Sequence, residues 1–207
     1  MKRKIKICGM RQPDNIAEVR KLNPDYLGYI FYSKSARLFP EVEIEDIVHT
    51  DSIRNTAVFV DAGPAQVERI LASGKFQAIQ LHGNEEASYC RSLRDRGYET
   101  IKAFGVGPEF DFSSLEPYLD AVDYFLFDTK SPDYGGTGKS FPWEILKSYP
   151  YPKRYFLSGG IGLDNFQEAY RLADERLFAV DLNSRFECSP GIKNTALLER
   201  VFKNTSI

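Results

Sequence analysis

Short runs rich in β-branched and aromatic residues recur along the chain, each followed by a stretch with helical spacing. The runs are Lys4–Cys8, Tyr26–Phe31, Thr56–Asp61, Ala78–His82, Thr100–Phe104, Tyr124–Asp128, Tyr155–Ser158 and Ala179–Asn183. Their starts lie 22 to 31 residues apart, the period of a strand-plus-helix unit. The intervening pattern predicts helices over 14–22, 64–71, 85–96, 164–173 and 194–202. Pro13 and Pro64 mark the first two starts, and acidic first turns mark the next two. Eight strands alternating with about eight helices fit an open doubly wound sheet or a closed barrel. The turn Cys8-Gly9-Met10-Arg11 lacks the GxGxxG of a dinucleotide fold, and no linker or low-complexity tract divides the chain. The expectation is one α/β domain over 1–207, a (βα)8 TIM barrel with eight parallel strands.

Alternation within the strands sharpens this. In the first strand Lys4, Lys6 and Cys8 share a face opposite Ile5 and Ile7. Gln80 and His82 oppose Ile79 and Leu81; Lys102 opposes Ile101 and Ala103; Asp128 opposes Phe125 and Phe127; Asp181 and Asn183 oppose Val180 and Leu182. Buried parallel strands usually read as near-continuous apolar runs. A polar parity is therefore expected to point into a barrel lumen. It places Cys8, His82, Asp128 and Asp181 at the carboxyl ends of their strands, the face where such barrels carry their chemistry.

Composition narrows the classes. The chain has 207 residues, 43% of them hydrophobic, and a net charge of -2. A sizeable core can form, and no global basic field attracts nucleic acid or anionic lipid. No apolar run approaches the roughly 20 residues of a membrane span, and no apolar segment follows Met1-Lys2-Arg3-Lys4 as in a secretory signal. Three widely spaced cysteines without a CxxC pair suit reduced thiols in a cytoplasm rather than disulfides or zinc. With only His49 and His82, a histidine-rich metal centre is not expected either.

Several positions carry candidate chemistry. Cys8, with Lys6 two residues back on its face, is a base or nucleophile whose pKa the lysine would lower; taken without its position it would be a buried small hydrophobe. Asp128, closing an aromatic strand, suits general acid work with a raised pKa. Asp133–Ser140 misses the GxxxxGK[ST] phosphate loop because Asp133 stands where glycine is required, so a glycine loop closing over substrate is the better reading. Ser158-Gly159-Gly160 and Asn183-Ser184 follow the seventh and eighth strands, where these barrels hold phosphate. Arg37 could grip a carboxylate. His82 reads as a structural hydrogen-bonding residue, and Cys90 and Cys188 carry no apparent chemistry.

The set Lys6-Ile7-Cys8-Gly9, Ser35-Ala36-Arg37, Gln80-Leu81-His82-Gly83, Asp128-Thr129, Gly135-Gly136-Thr137-Gly138 and Ser158-Gly159-Gly160 resembles phosphoribosylanthranilate isomerase, a (βα)8 enzyme of tryptophan biosynthesis. The matches run in order from Lys6 to Gly191. The resemblance implies an Amadori rearrangement of N-(5-phosphoribosyl)anthranilate to 1-(2-carboxyphenylamino)-1-deoxyribulose 5-phosphate, without cofactor or metal. It implies Asp128 as acid, Cys8 as base, Arg37 on the anthranilate carboxylate and Asp181 near the anthranilate amine. Gly159, Gly160, Asn183 and Ser184 would hold the phosphate. The partner is then a small phosphorylated molecule, with no nucleic acid or membrane, and the enzyme a monomer or homodimer. One stretch departs: the family usually reads Asp-Val-Ser-Ser-Gly-Val-Glu where this chain has Asp181-Leu182-Asn183-Ser184-Arg185-Phe186-Glu187. Arg185 would either supply charge to the phosphate or point to solvent.

Rival readings fit less well. A metal-dependent epimerase wants paired His and Asp ligands, and an indole-forming lyase wants strand-end lysine and glutamate, leaving Cys8 and Asp128 idle. A non-catalytic phosphate-binding module has no use for that thiol and carboxyl.

Overall fold

Eight parallel strands close on themselves in the order in which the chain makes them. They are β1 (Lys4–Cys8), β2 (Tyr26–Ile30), β3 (Arg54–Phe59), β4 (Ala78–Leu81), β5 (Glu99–Val106), β6 (Tyr124–Thr129), β7 (Tyr155–Leu157) and β8 (Leu177–Leu182). The computed structural model describes residues 2–130 and 141–205. The glycine loop 133–140 lies outside the described residues. Pairing of Lys6 with Asp181 and of Ile7 with Leu182 joins β1 to β8 and seals the barrel.

The two faces of the sheet bury different sets of residues. Ile5, Ile7, Leu27, Phe59, Leu81, Phe125, Leu157 and Val180 pack outward against helical residues such as Val19, Val67, Leu93 and Val201. Tyr26, Ala78, Ile101, Ala103, Leu126, Phe156 and Ala179 come from six different strands and form a separate cluster that fills the lumen, with Tyr124 and Phe178 packed against it. That plug leaves the carboxyl-terminal mouth to the polar residues, as the alternation of β1, β4, β6 and β8 predicts. In β5 the expectation fails. Ile101 and Ala103 face inward, and Lys102, in register with Leu81 and Phe125, faces the outer layer. Its ammonium is buried there, 3.3 Å from Glu85, and donates to the carbonyls of Gly83 (2.7 Å) and Ala103 (3.1 Å). A lysine can sit on the apolar face because its long stem carries the charge to acceptors beyond the packing layer.

In its described residues the outer layer is thinner than eight helices. Among the described residues it holds α1 (Pro13–Lys21), α2 (Pro64–Leu71), α3 (Ala87–Asp95), α4 (Phe166–Tyr170) and α5 (Thr195–Lys203). Short 3₁₀ segments, Glu41–Asp46, Phe112–Tyr118 and Trp143–Ser148, replace helices after β2, β5 and β6. Pro117 inside the second of these removes an amide donor that a longer helix would need. A further small element is a hairpin after β8, β9 (Glu187–Ser189) paired antiparallel with β10 (Ile192–Lys193), turning at Gly191 with φ +84°.

Candidate active site

At the carboxyl ends of the strands lies a cleft of about 780 Å³ including its open mouth. Cys8, Arg37, Asp128, Gly159, Gly160, Asp181, Asn183 and Ser184, every residue singled out from the sequence as a site residue, line it. Gln80 and His82 line it as well.

Cys8 ends β1 and is buried. Its Sγ sits directly over Gly28 of β2, its register partner. Lys6, also inward, lies 2.9 Å from Asp181 Oδ2 with both groups buried. Burial works against the Lys6 ammonium, but the Asp181 carboxylate and Cys8 together outweigh it and hold the pKa above the ordinary lysine value. The thiol behaves otherwise than the sequence suggested. Burial pushes the Cys8 pKa up, against the pull of Lys6 and Lys193 and with the help of Asp181. Lys6 is beside the thiol, yet much of its field is spent on Asp181. The second oxygen of Asp181, Oδ1, is buried without a hydrogen-bond partner.

Asp128 stands on β6, in register with Gly105 of β5. Its Oδ1 accepts from the Thr129 amide at 2.8 Å, and Oδ2 lies 3.5 Å from His82 Nε2. Phe125 and Phe127 pack outward, so they do not wall the carboxyl, whose side chain is 27% exposed. Gln80 Nε2 lies 2.8 Å from His82 Nδ1.

Arg37 reaches the cleft from the loop after β2. Its Nε and Nη2 are taken by Glu187, with Nε 3.0 Å from each carboxylate oxygen and Nη2 2.8 Å from Oε2. Nη1 takes part in none of these bonds. Lys193, also buried, donates to Glu187 Oε1 at 2.6 Å and to Asn183 Oδ1 at 2.7 Å. Burial pulls the Lys193 pKa down against the opposing charge of Glu187. Burial would raise Glu187, but Arg37 and Lys193 overcome it and hold the carboxyl below its ordinary value.

Gly159 and Gly160 follow β7 with φ +90° and +63°, a left-handed pair that only glycine adopts at little cost. A Cβ on Gly159 would lie 2.3 Å from Thr129 Oγ1. Among the described residues the amides of Gly159, Gly160 and Ile161 donate to no acceptor. Successive free amides in such a turn form an anion-binding concavity. The next helix, α4, has five residues and starts only at Phe166, so these loop amides, not a helix terminus, are the donors. Arg185 bonds the Gly160 carbonyl at 3.1 Å and Asp164 at 3.0 Å.

The model of the N-(5'-phosphoribosyl)anthranilate (PRA) isomerase family matches residues 5–204. The chain belongs to this family. An N-(5'-phosphoribosyl)anthranilate isomerase of Parabacteroides distasonis is 41% identical over 194 residues, covering 92% of this chain and 87% of the relative. One of Phocaeicola vulgatus is 36% identical, covering 93% and 92%. The crystal structure of phosphoribosyl anthranilate isomerase from Thermotoga maritima superposes with a TM-score of 0.85 at 30% identity, covering 98% of both chains. Another isomerase structure, in complex with reduced 1-(o-carboxyphenylamino)-1-deoxyribulose 5-phosphate, gives a TM-score of 0.83 at 27% identity and covers 98% of both chains.

The chain is thus a PRA isomerase, an enzyme of tryptophan biosynthesis, on a closed eight-stranded barrel. Two residues that hold the lining of this isomerase's cleft from behind, Glu187 on Arg37 and Lys193 on Asn183, escaped the sequence reading. Their signal was the turn Pro190-Gly191 between two short runs, a hairpin cue that folds both side chains back under the loop after β8.

Proposed function

We propose that the isomerase works by acid–base catalysis in which Asp128 is the acid and Cys8 the base. Asp128 gives its proton to the ribose ring oxygen as the C1′–O bond breaks, and the nitrogen lone pair forms the C1′=N iminium. Cys8, as thiolate, takes the C2′ proton, whose bonding electrons form C1′=C2′ and neutralise the nitrogen. The enolamine loses its hydroxyl proton and gains one at C1′, giving the ketone. The net change moves hydrogen within one molecule, so the chemistry calls for no redox partner.

The observation that carries this reading is that a thiol and a carboxyl from β1 and β6 line one cleft. The iminium also brings a positive charge towards a thiol that burial holds protonated, which favours its ionisation when the base is needed. Arg37 takes the anthranilate carboxylate through Nη1, its other edge being occupied by Glu187. The unpartnered Oδ1 of Asp181 accepts from the anthranilate amine. The phosphate sits on the free amides of Gly159 and Gly160, with Asn183 and Ser184 alongside. Asn183 uses Oδ1 for Lys193 and so offers its amide nitrogen.

The same reading takes 1–207 as one catalytic domain acting in the cytoplasm on a small phosphorylated molecule, as monomer or homodimer. Cys8, Cys90 and Cys188 are all unpaired, as suits a reducing compartment. The test generates phosphoribosylanthranilate in place from anthranilate and phosphoribosyl pyrophosphate and follows its fluorescence. Cys8→Ala and Asp128→Ala should each lower kcat by about 100-fold or more, while the reduced product analogue still binds. Full turnover in both variants would sink the assignment.

A further inference from the structure

We propose that Arg185 sets the affinity of the cleft for the phosphate group by clasping the loop after β8 to the loop after β7. The proposal rests on the reading that the free amides after β7 receive the phosphate.

Arg185 stands in the 3₁₀ turn Ser184–Phe186, and its side chain crosses to the neighbouring loop. Nη1 donates to the Gly160 carbonyl at 3.1 Å and Nη2 lies 3.0 Å from Asp164 Oδ1. The guanidinium lies against Gly162, where a Cβ would come within 2.7 Å of Arg185 Cζ and Nε. Asn165 joins from its own side. Its Nδ2 donates to the same Gly160 carbonyl at 3.2 Å, and its Oδ1 accepts from the Gly162 amide at 2.8 Å.

Two donors therefore hold one carbonyl. The peptide plane is rigid, and no cis bond occurs among the described residues, so the carbonyl of Gly160 and the amide of Ile161 point opposite ways. Fixing the carbonyl on Arg185 and Asn165 turns the Ile161 N–H away from them. Ile161 and Gly160 both line the cleft, and neither amide has an acceptor among the described residues. The clasp thus orients an anion donor without touching the anion. Preset donors bind more tightly because the cost of ordering them is already met in the free protein.

The geometry also says which side chain is needed. A planar fork bonds a carbonyl and a carboxylate at once while lying flat on a glycine, and a lysine ammonium cannot do this. Asp164 holds the fork in place, and Arg185 beside it keeps its carboxyl below the ordinary value. As an ion pair at the surface, with side chains 34% and 65% exposed, the contact adds little to stability. Its removal leaves a folded protein in which binding can be measured.

The experiment compares the unmodified enzyme with Arg185→Ala, Arg185→Lys and Asp164→Asn. It reads KM and kcat for phosphoribosylanthranilate and the inhibition constant of inorganic phosphate. Arg185→Ala should raise both KM and the phosphate inhibition constant about tenfold, a loss of about 1.4 kcal/mol, and change kcat less than about threefold. Arg185→Lys should fail to restore either constant, and Asp164→Asn should raise both about threefold. Unchanged constants in Arg185→Ala would overturn the clasp while leaving the phosphate site standing. So would tighter phosphate binding in Asp164→Asn, since it would mean that a released Arg185 binds the anion itself. If inorganic phosphate does not inhibit the unmodified enzyme, the phosphate reading falls and the clasp falls with it.

Discussion

Cys8 and Gly28 face each other across β1 and β2 so closely that a Cβ on Gly28 would lie 2.8 Å from Sγ and 3.2 Å from the Cys8 Cα. The seat of the thiol is therefore defined by a missing methyl group. Gly28→Ala should displace Sγ and lower kcat at least about tenfold, with an overpacking cost of about 1–3 kcal/mol. Steady-state kinetics and a denaturant midpoint check this. Unaltered kcat would mean that the thiol's position is not critical.

The raised Cys8 pKa makes a claim about pH. A base must be ionised to act, and the group's pKa in the folded enzyme lies above the ordinary thiol value of about 8.5. Activity limited by the thiolate should rise with pH from 7 through 9, with log(kcat/KM) climbing at a slope near 1 and no plateau. Lys6, Lys193 and Asp181 are the charged groups acting on it. The rate of Cys8 alkylation by iodoacetamide should follow the same curve. A plateau below pH 8 in both measurements would contradict the burial argument.

Glu187 is held below its ordinary value by Arg37 and Lys193. A carboxyl depressed in the folded state stabilises above its unfolded pKa of about 4.3, and that contribution is lost as pH falls through the lower folded value. Glu187→Gln leaves buried Lys193 and half-buried Arg37 facing a neutral group. It should lose about 3 kcal/mol at pH 7 and show a flatter acid limb. Urea midpoints from pH 3 to 7 for both proteins provide the comparison.

The Lys102–Glu85 pair is buried outside the lumen and secures the loop that follows β4. Glu85 also accepts from the amides of Asp61 and Gly83. Lys102→Met should cost about 3–5 kcal/mol, because it strands a buried carboxylate. Adding Glu85→Gln should cost much less than the two single changes together, since the partners share one interaction. Additive midpoints would show that the pair is not coupled.

Lys102 also marks where the sequence could mislead. Alternation sorts residues by face, and in β1, β4, β6 and β8 the polar face is the lumen, which brought Cys8, His82, Asp128 and Asp181 together correctly. In β5 the polar residue points outward to satisfy carbonyls of the β4 loop, a tertiary demand invisible in local pattern. The helices after β2, β5 and β6 were overcounted for a related reason. The connections 31–53, 107–123 and 130–154 are no shorter than the helical ones, yet their described residues carry only 3₁₀ turns, and a residue period of strand starts does not reveal that. The pull of Lys6 on the thiol was legible, whereas the burial that outweighs it depends on every wall of the cleft. The two fates open to Arg185 were charge or solvent. Its bond to Gly160 joins loops some 25 residues apart in sequence.

The Lys6–Asp181 contact spans 175 positions along the chain and coincides with the seam where the first strand meets the last. Until the eighth strand docks, Lys6 has no counter-ion and the cleft has no eighth side. Catalytic competence is therefore a property of the finished ring alone. Recovery of turnover during refolding should trail the return of helical circular dichroism and report the final event of assembly.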